Sequence, residues 1–175
     1  VFLQLFRTLR STRFGRLLPA LLLGAAASLP VHAQSLFTTQ VPDTPDASDG
    51  SAYELGMKFQ VAKSGQITAI RYWKAPSETG AHVGTIWSAS GAVLATANFA
   101  GETASGWQEQ ALTVPLAIQA STVYVVSVNA NGFFALTANG LAGQVVNGDI
   151  SSVGGGNGVF AAPGTFPSSS FQDSN

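Results

Sequence analysis

The sequence predicts an all-β protein, built as a β-sandwich or a barrel. Short runs of Val, Ile, Thr and aromatic residues recur from residue 35 onward, and these residue types favour strands. Gly, Asn, Ser and Pro separate the runs at intervals of roughly 8 to 15 residues, which is typical of sandwiches and barrels. The same part of the sequence shows no sustained helical periodicity, so no helix is predicted there.

The first 33 residues are predicted to be a secretory signal peptide. Four arginines precede an uncharged apolar run over residues 17–29. Val31 and Ala33 then supply the small residues that a signal peptidase prefers, so cleavage is predicted after Ala33. A membrane anchor is the alternative, but thirteen residues fall short of the roughly 20 that span a bilayer. The predicted localisation is therefore secreted or cell surface, with no membrane span after cleavage.

The remaining residues, 34–175, are predicted to form one domain. The runs predicted as strands are 35–39, 52–61, 66–74, 82–88, 92–99, 107–114, 122–128 and 132–138. Both alternating faces of the run 122–128 are mostly apolar, so we expect a central strand there. Pro115 cannot donate to a ladder, so the run before it is predicted to be an edge strand or to end there.

Two segments are predicted as loops. Residues 41–51 are rich in Pro and Asp, and residues 138–175 are rich in Gly, Ser and Asn. Within the second segment, isolated apolar residues are expected to pin the loop to the domain. They are Val145, Val146, Val159, Phe160, Phe166 and Phe171.

Composition excludes several function classes. Residues 34–175 carry four Lys or Arg against nine Asp or Glu, a formal charge of −5, whereas nucleic-acid binding needs a basic surface. The chain has no cysteine, and His82 is the one histidine after residue 33, so no nucleophile–base arrangement is evident. The glutamates show no pairing for glycoside hydrolysis, and Glu102 is expected to be a solvated or turn-bonding acid. The sequence therefore predicts that the protein is not an enzyme.

Three aspartates in the segment 41–51 are candidate calcium ligands. Asp43, Asp46 and Asp49 lie three residues apart, and calcium prefers carboxylate and carbonyl oxygens supplied by loops. The spacing differs from that of the known calcium-loop motif. Asp side chains that cap backbone N–H groups in an acidic turn remain the alternative. No other cofactor is predicted.

Aromatic residues are the candidate ligand contacts, because exposed aromatic rings bury the apolar faces of sugars. Tyr72 and Trp73 are adjacent, so on a regular strand they point to opposite faces and one of them is expected to be exposed. Arg71 lies beside them, and Phe133 and Phe134 form a similar pair. Trp87 and Trp107 are predicted to be structural, with Trp107 closing one end of the sandwich.

Five stretches carry a resemblance to a known family. The chain resembles a family of bacterial secreted domains known only by its number, four thousand and eighty-two, among the domains of unknown function. The stretches that match in order are 54–74, 79–99, 102–112, 122–134 and the segments "GNGVF", "FP" and "SN" within 156–175.

The resemblance implies a jelly-roll-like antiparallel β-sandwich of about eight strands on exported or surface proteins. It implies no established activity and no catalytic residues. Members of the family usually continue past the "SN" position into one more strand. We therefore expect that the C-terminal strand is missing and that the record is truncated at Asn175, and the start at Val1 leaves truncation open there too.

The predicted function is that of an exported, non-catalytic binding or adhesive module, with a cell-surface or extracellular polysaccharide as the leading ligand. This rests on analogy at the level of the fold, which is weak support for function. A structural or assembly module without a small ligand is the alternative. A fragment of a secreted hydrolase is disfavoured, because no catalytic constellation is evident.

Overall fold

The computed structural model describes the backbone of Leu3 and Gln4 and, with side chains, residues 34–175. The predicted signal peptide, residues 1–33, otherwise lies outside the described residues. The strands are β1 (Leu3–Gln4), β2 (Thr44–Ala47), β3 (Tyr53–Val61), β4 (Gly65–Lys74), β5 (Val83–Ser88), β6 (Val93–Asn98), β7 (Gly106–Ile118), β8 (Tyr124–Ala130), β9 (Phe134–Leu136), β10 (Val146–Asn147), β11 (Ile150–Ser152), β12 (Val159–Ala161) and β13 (Ser169–Ser170). In this part of the chain there is no helix that is long and apolar enough to cross a membrane.

A large antiparallel sheet runs in the order β10-β11-β3-β8-β5-β6. Strand β8 lies between β3 and β5, which confirms the prediction of a central strand. Both β11 and β12 pair with the same edge of β3, so the chain lines that edge twice, with residues 153–158 looping out between them. Strand β13 pairs only with β12 among the described strands.

Two smaller sheets complete the architecture. Strands β1, β4 and β7 form one of them, and β2 pairs with β9 in the other. Strand β7 is the outermost strand of its sheet and continues through Pro115. The β4–β7 register shifts between Ile67 and Ala69, so the residues around Pro115 form a bulge. An edge position and a bulge are where a strand tolerates proline.

The core lies between the large sheet and the β4–β7 sheet. Met57 and Val126 from the large sheet share one buried cluster with Ile70 and Leu112 from β4 and β7. The sheets approach closely at Gly84, where a Cβ atom would lie 2.8 Å from Cγ2 of Ile70. The structure is therefore an all-β sandwich of antiparallel sheets, as the sequence predicted.

The other face of the large sheet is covered as well. Trp87, Val125 and Val159 form a second buried cluster, and Phe166 packs on it. Phe166 belongs to the C-terminal segment, which therefore folds over the sheet. Since both faces of β8 are buried, its nearly continuous apolar sequence has a direct structural cause.

Three predicted elements are wrong. Residues 35–39 form no strand, because Leu36 and Phe37 are buried in the core cluster by an irregular segment. The predicted loop 41–51 contains β2, and the predicted loop 138–175 contains four short strands, β10 to β13. These four strands are only two or three residues long. β11 and β12 pair with β3, β10 pairs with β11 and β13 pairs with β12, and a reading of single runs cannot detect such pairing.

Candidate functional site

An apolar cleft of about 390 Å³ opens between the β2–β9 sheet and the β3–β12 edge of the large sheet. The cleft is lined mainly by apolar side chains, with polar groups at its rim. Its lining residues are Ala47, Ser48, Asp49, Tyr53, Leu55, Gly56, Phe134, Leu136, Gly158, Val159, Phe160, Phe171 and Ser174. A concave, largely apolar site with a few polar groups is the usual form of a small-ligand site.

The alternation of side chains along β9 determines which of its residues face the cleft. Phe134 and Leu136 line it from β9, whereas Ala135 between them is fully buried. Tyr53, at the start of β3, makes edge-to-face contacts with Phe134 and with Phe160, each with the ring centroids 6.0 Å apart. Such ring pairs contribute about 0.5–1.5 kcal/mol beyond their burial, so the three rings hold one another in place.

The carboxylate of Asp49 lies at the rim of the cleft. The Tyr53 hydroxyl donates to Oδ2 of Asp49 at 2.6 Å, and the Ser51 N–H donates to Oδ1 at 3.0 Å. The Tyr53 hydrogen bond is the main cause that holds the pKa of Asp49 below its ordinary value, and the same bond raises the pKa of Tyr53. At neutral pH the rim therefore presents an ionised acceptor beside a phenolic donor.

Of the five residues predicted to contact a ligand, four line a small crevice of about 10 Å³, namely Tyr72, Trp73, Phe133 and Phe134, and Arg71 does not. Phe134 lines the cleft, and Phe133 beside it is 38% exposed on the outside. Arg71 and Trp73 lie on β4 and do not line the 390 Å³ cleft. Tyr72 is 3% exposed, and its hydroxyl donates to Glu102 at 2.5 Å. Tyr72 was predicted as a ligand contact, and its burial leaves no surface for one.

Arg71 and Trp73 instead share a face with Trp107 on the neighbouring strand. Trp73 pairs with Trp107 in the β4–β7 register, and their rings meet edge to face at 5.6 Å. The Arg71 guanidinium carbon lies 4.7 Å from the centroid of the Trp107 ring. The Trp107 indole N–H donates to the Gln40 carbonyl at 3.1 Å, and both tryptophans pack against the core cluster. Trp107 therefore occupies a packing position.

Trp87 begins a buried polar chain that the sequence did not reveal. Its indole N–H donates to the Ser127 hydroxyl at 2.7 Å, and that hydroxyl donates to Glu54. Burial raises the pKa of Glu54, although the bonds from Ser127 and from the Gly164 N–H oppose that shift. The chain joins three elements under the C-terminal segment, and it satisfies polar groups that would otherwise be costly to bury.

The three candidate calcium ligands are used separately. Asp46 accepts hydrogen bonds from the N–H and the hydroxyl of Ser77, and Asp49 accepts from Ser51 and Tyr53. The Asp43 N–H donates to the Thr137 hydroxyl at 3.0 Å. No group of three or more His, Asp or Glu side chains that could hold a metal ion occurs among residues 34–175. Asp46 and Asp49 thus each accept from a backbone N–H group, that of Ser77 and that of Ser51.

A second polar cluster, which the sequence also did not reveal, is centred on His82. This histidine is 1% exposed. Its Nε2 lies 3.0 Å from Oε1 of Glu78, and its Nδ1 lies 2.9 Å from Oε2 of Glu102. Glu102 also accepts from Tyr72 and from Lys74 Nζ, the latter at 3.1 Å. The expectation that Glu102 is a solvated or turn-bonding acid is therefore wrong.

Both carboxylates of this His82 cluster are held in the ionised form. Burial alone would raise the pKa of Glu78, but the Asn131 N–H, His82 and the Phe133 N–H outweigh it, so the pKa lies below its ordinary value. Burial opposes ionisation of Glu102 too, and the contacts from Tyr72, His82 and Lys74 lower its pKa. An ionised carboxylate can only accept hydrogen bonds, so Glu78 and Glu102 act as acceptors in this cluster. Neither nitrogen faces the cleft.

Residues 39–175 match a family model described as Domain of unknown function (DUF4082). The chain belongs to this family. No curated protein and no solved structure matches the chain. The DUF4082 match contains every residue that lines the cleft and every member of the His82 cluster. The family description names no activity.

Proposed function

We propose that this DUF4082 domain is an exported, non-catalytic binding module that takes a polysaccharide in its aromatic cleft. The observation that carries the proposal is the cleft itself. Four aromatic residues, Tyr53, Phe134, Phe160 and Phe171, line a space of about 390 Å³. A space of this size lies within the range of small-ligand sites, which is about 300–1,000 Å³.

Sugar chemistry fits such a lining. A pyranose ring presents apolar C–H groups on its faces, which aromatic rings bury, and hydroxyl groups at its edge. Asp49 lies at the rim with an ionised carboxylate that can accept hydrogen bonds from sugar hydroxyls. Because Tyr53 is already in contact with both Phe134 and Phe160, these rings need little reorganisation to receive a ligand.

Charge narrows the class of polysaccharide. Residues 34–175 carry a formal charge of −5, and the residues that line the cleft include an aspartate but no Lys, Arg or His. A uronic acid or a sulfated sugar would meet an acidic rim without a compensating cation. The proposed ligand is therefore an uncharged glycan.

Affinity electrophoresis tests this proposal directly. We expect a neutral glycan in the gel to retard the protein, and we expect Phe134→Ala and Phe160→Ala to reduce the retardation by about tenfold in affinity, since one stacked ring contributes on the order of 1 kcal/mol or more. Val146→Ala is the matched control, because Val146 is exposed and does not line the cleft. Equal retardation of the cleft variants and the control would contradict the proposal, and so would binding to acidic glycans alone.

Exposed apolar residues favour the second candidate function, a structural or assembly module. Val93 and Leu94 on β6 and Val114 on β7 are large apolar side chains that lie exposed, Val114 by 73%. Burial of such residues between chains would drive assembly. Sedimentation at increasing concentration distinguishes the two functions. Self-association that Val114→Ser abolishes would support assembly, whereas a monomer at high concentration would remove this alternative.

A further inference from the structure

Four Asn-Gly dipeptides lie within 28 residues of this domain: Asn131-Gly132, Asn139-Gly140, Asn147-Gly148 and Asn157-Gly158. Asn-Gly is the pair in which an asparagine can lose its amide spontaneously, because glycine has no side chain to shield its backbone nitrogen. In that reaction the glycine nitrogen attacks Cγ of the asparagine. The four pairs share this sequence, so any difference between them must come from the structure.

The backbone nitrogen of the glycine is engaged in three of the four pairs. The N–H of Gly132 donates to Glu78 at 3.2 Å. The N–H of Gly140 donates to the Thr137 carbonyl at 3.2 Å. The N–H of Gly158 donates to Oδ1 of Asn157 at 2.8 Å. Within residues 34–175, the N–H of Gly148 has no such acceptor.

The side chains set Asn147 apart from Asn131 and Asn157, whereas Asn139 is also exposed and differs from Asn147 at its glycine nitrogen, which donates to the Thr137 carbonyl. Asn157 is fully buried and bonds the backbone of both Lys58 and Val153. Asn131 bonds the carbonyls of Thr79 and Ala81. Asn147 is exposed and makes one hydrogen bond, from Nδ2 to the Ser35 carbonyl at 2.7 Å. To free its side chain, Asn147 has to break one exposed hydrogen bond, whereas Asn157 has to break several buried ones. The local opening of the structure therefore costs less free energy at Asn147.

The turn geometry also exposes the pair. Asn147 pairs with Ile150, so Gly148 and Asp149 form a two-residue hairpin loop. Gly148 has φ +63°, the left-handed conformation that such a loop requires at its first position. Its nitrogen therefore lies at the tip of the hairpin, away from the ladder.

We infer that Asn147 is a site of spontaneous deamidation in this protein. The Gly148 nitrogen forms a bond to Cγ of Asn147, the Cγ–Nδ2 bond breaks, and Nδ2 leaves as ammonia with the amide proton. Water then opens the resulting succinimide and leaves an aspartate or an isoaspartate. The reaction needs no oxidant, no reductant and no reactant other than water.

The product has a structural consequence. A carboxylate at position 147 cannot donate to the Ser35 carbonyl, and it adds a negative charge beside Asp149 in the same turn. The same turn also binds Gln34, the residue before Ser35, because the Asp149 N–H donates to Oε1 of Gln34 at 2.8 Å. Deamidation therefore weakens the attachment of residues 34–37, the segment that buries Leu36 and Phe37 in the core.

Peptide mapping by mass spectrometry tests the site. After storage of the purified protein at pH 8, we expect a gain of about 1 Da at Asn147 on the order of tenfold faster than at Asn157. Asn131, Asn139 and Asn157 serve as internal controls with the same dipeptide. An unmodified Asn147, or another of the four asparagines deamidating first, would overturn the assignment.

A pair of variants tests the consequence. Asn147→Asp mimics the product, and Asn139→Asp makes the same charge change at an exposed asparagine whose side chain has no hydrogen-bond partner among residues 34–175. We expect faster amide exchange over residues 34–37 in Asn147→Asp but not in Asn139→Asp. The same exchange rates over this segment in both variants would overturn the proposed effect on the segment.

Discussion

At the scale of single residues, Glu78 shows how one side chain joins distant loops. Its carboxylate accepts from three successive backbone N–H groups, those of Asn131, Gly132 and Phe133, and from His82. Nearly all of this carboxylate is removed from water. An ionised acid at such depth is tolerated because every acceptor site has a donor.

We predict that Glu78→Gln lowers the free energy of unfolding by about 3 kcal/mol at pH 7, because an amide nitrogen would face donors that then lack an acceptor. Urea unfolding measures this loss. Glu109→Gln is the control, since Glu109 is exposed, and its effect should stay within about 0.5 kcal/mol.

The same residue gives a pH dependence with a defined sign. The pKa of Glu78 in the folded protein lies below its ordinary value of 4.5, so the unfolded chain takes up the proton at a higher pH than the folded protein does. Its contribution to stability is therefore complete above about pH 5 and is lost as the pH falls through the folded pKa. The stability difference between wild type and Glu78→Gln should shrink as the pH falls from 5 to 3. A constant difference across that range would contradict this assignment.

At the scale of elements, Asn157 explains how one edge of β3 is lined by two short strands. Its Oδ1 accepts from the Lys58 N–H at 2.7 Å, and its Nδ2 donates to the Lys58 carbonyl at 2.9 Å. The Asn157 side chain thus bonds to the backbone of Lys58 in the place where a residue of a neighbouring strand would pair with β3, between β11 and β12. The looped segment 153–158 can leave the edge without leaving the backbone of Lys58 unsatisfied.

We predict that Asn157→Ala lowers the free energy of unfolding by about 2 to 4 kcal/mol, because the Lys58 N–H and the Val153 carbonyl would lose the partner that they have in Asn157. Chemical denaturation measures the loss, and faster exchange of the amides in β11 and β12 should accompany it. Asn98→Ala on the exposed face of β6 is the control. If both variants have the same stability, Asn157 does not hold this edge.

The elements also show what the sequence can predict and what it cannot. Long runs with alternating or continuous apolar residues, such as those of β3, β4 and β8, were predicted to within one or two residues at most ends. Pro115 predicted an edge strand or a strand end, and the structure shows an edge strand that continues through it. Strands β10 to β13 were missed, because each has only two or three residues, too few to show an alternating pattern.

The candidate cleft was only partly predictable for a related reason. Phe134 was among the predicted ligand contacts, but Tyr53 and Phe160 come from strands far apart in sequence and meet only in the folded sandwich. The His82 cluster likewise depends on loops from three parts of the chain. A spacing rule cannot detect a site when its members have no fixed sequence separation.

At the scale of the whole molecule, the large sheet is buried on both of its faces. One face of β8 carries Val126 and Val128 into the core cluster, and the other carries Val125 and Ser127 under the C-terminal segment. The outermost strand β6 instead exposes Val93 and Leu94. Without any disulfide in the sequence, stability depends on this layered burial, which increases from the edges toward β8.

We predict that the amides of β8 exchange with solvent only when the whole domain unfolds. Their protection should equal the free energy of global unfolding, which is about 5–15 kcal/mol for a domain of this kind. The amides of β6 and β13 should exchange several orders of magnitude faster, because these strands pair on one side only among the described strands and open locally. Native-state hydrogen exchange resolved by residue measures both groups in one sample. Protection of β6 equal to that of β8 would mean that the layered burial does not set local stability, and that the sandwich opens only as a single unit.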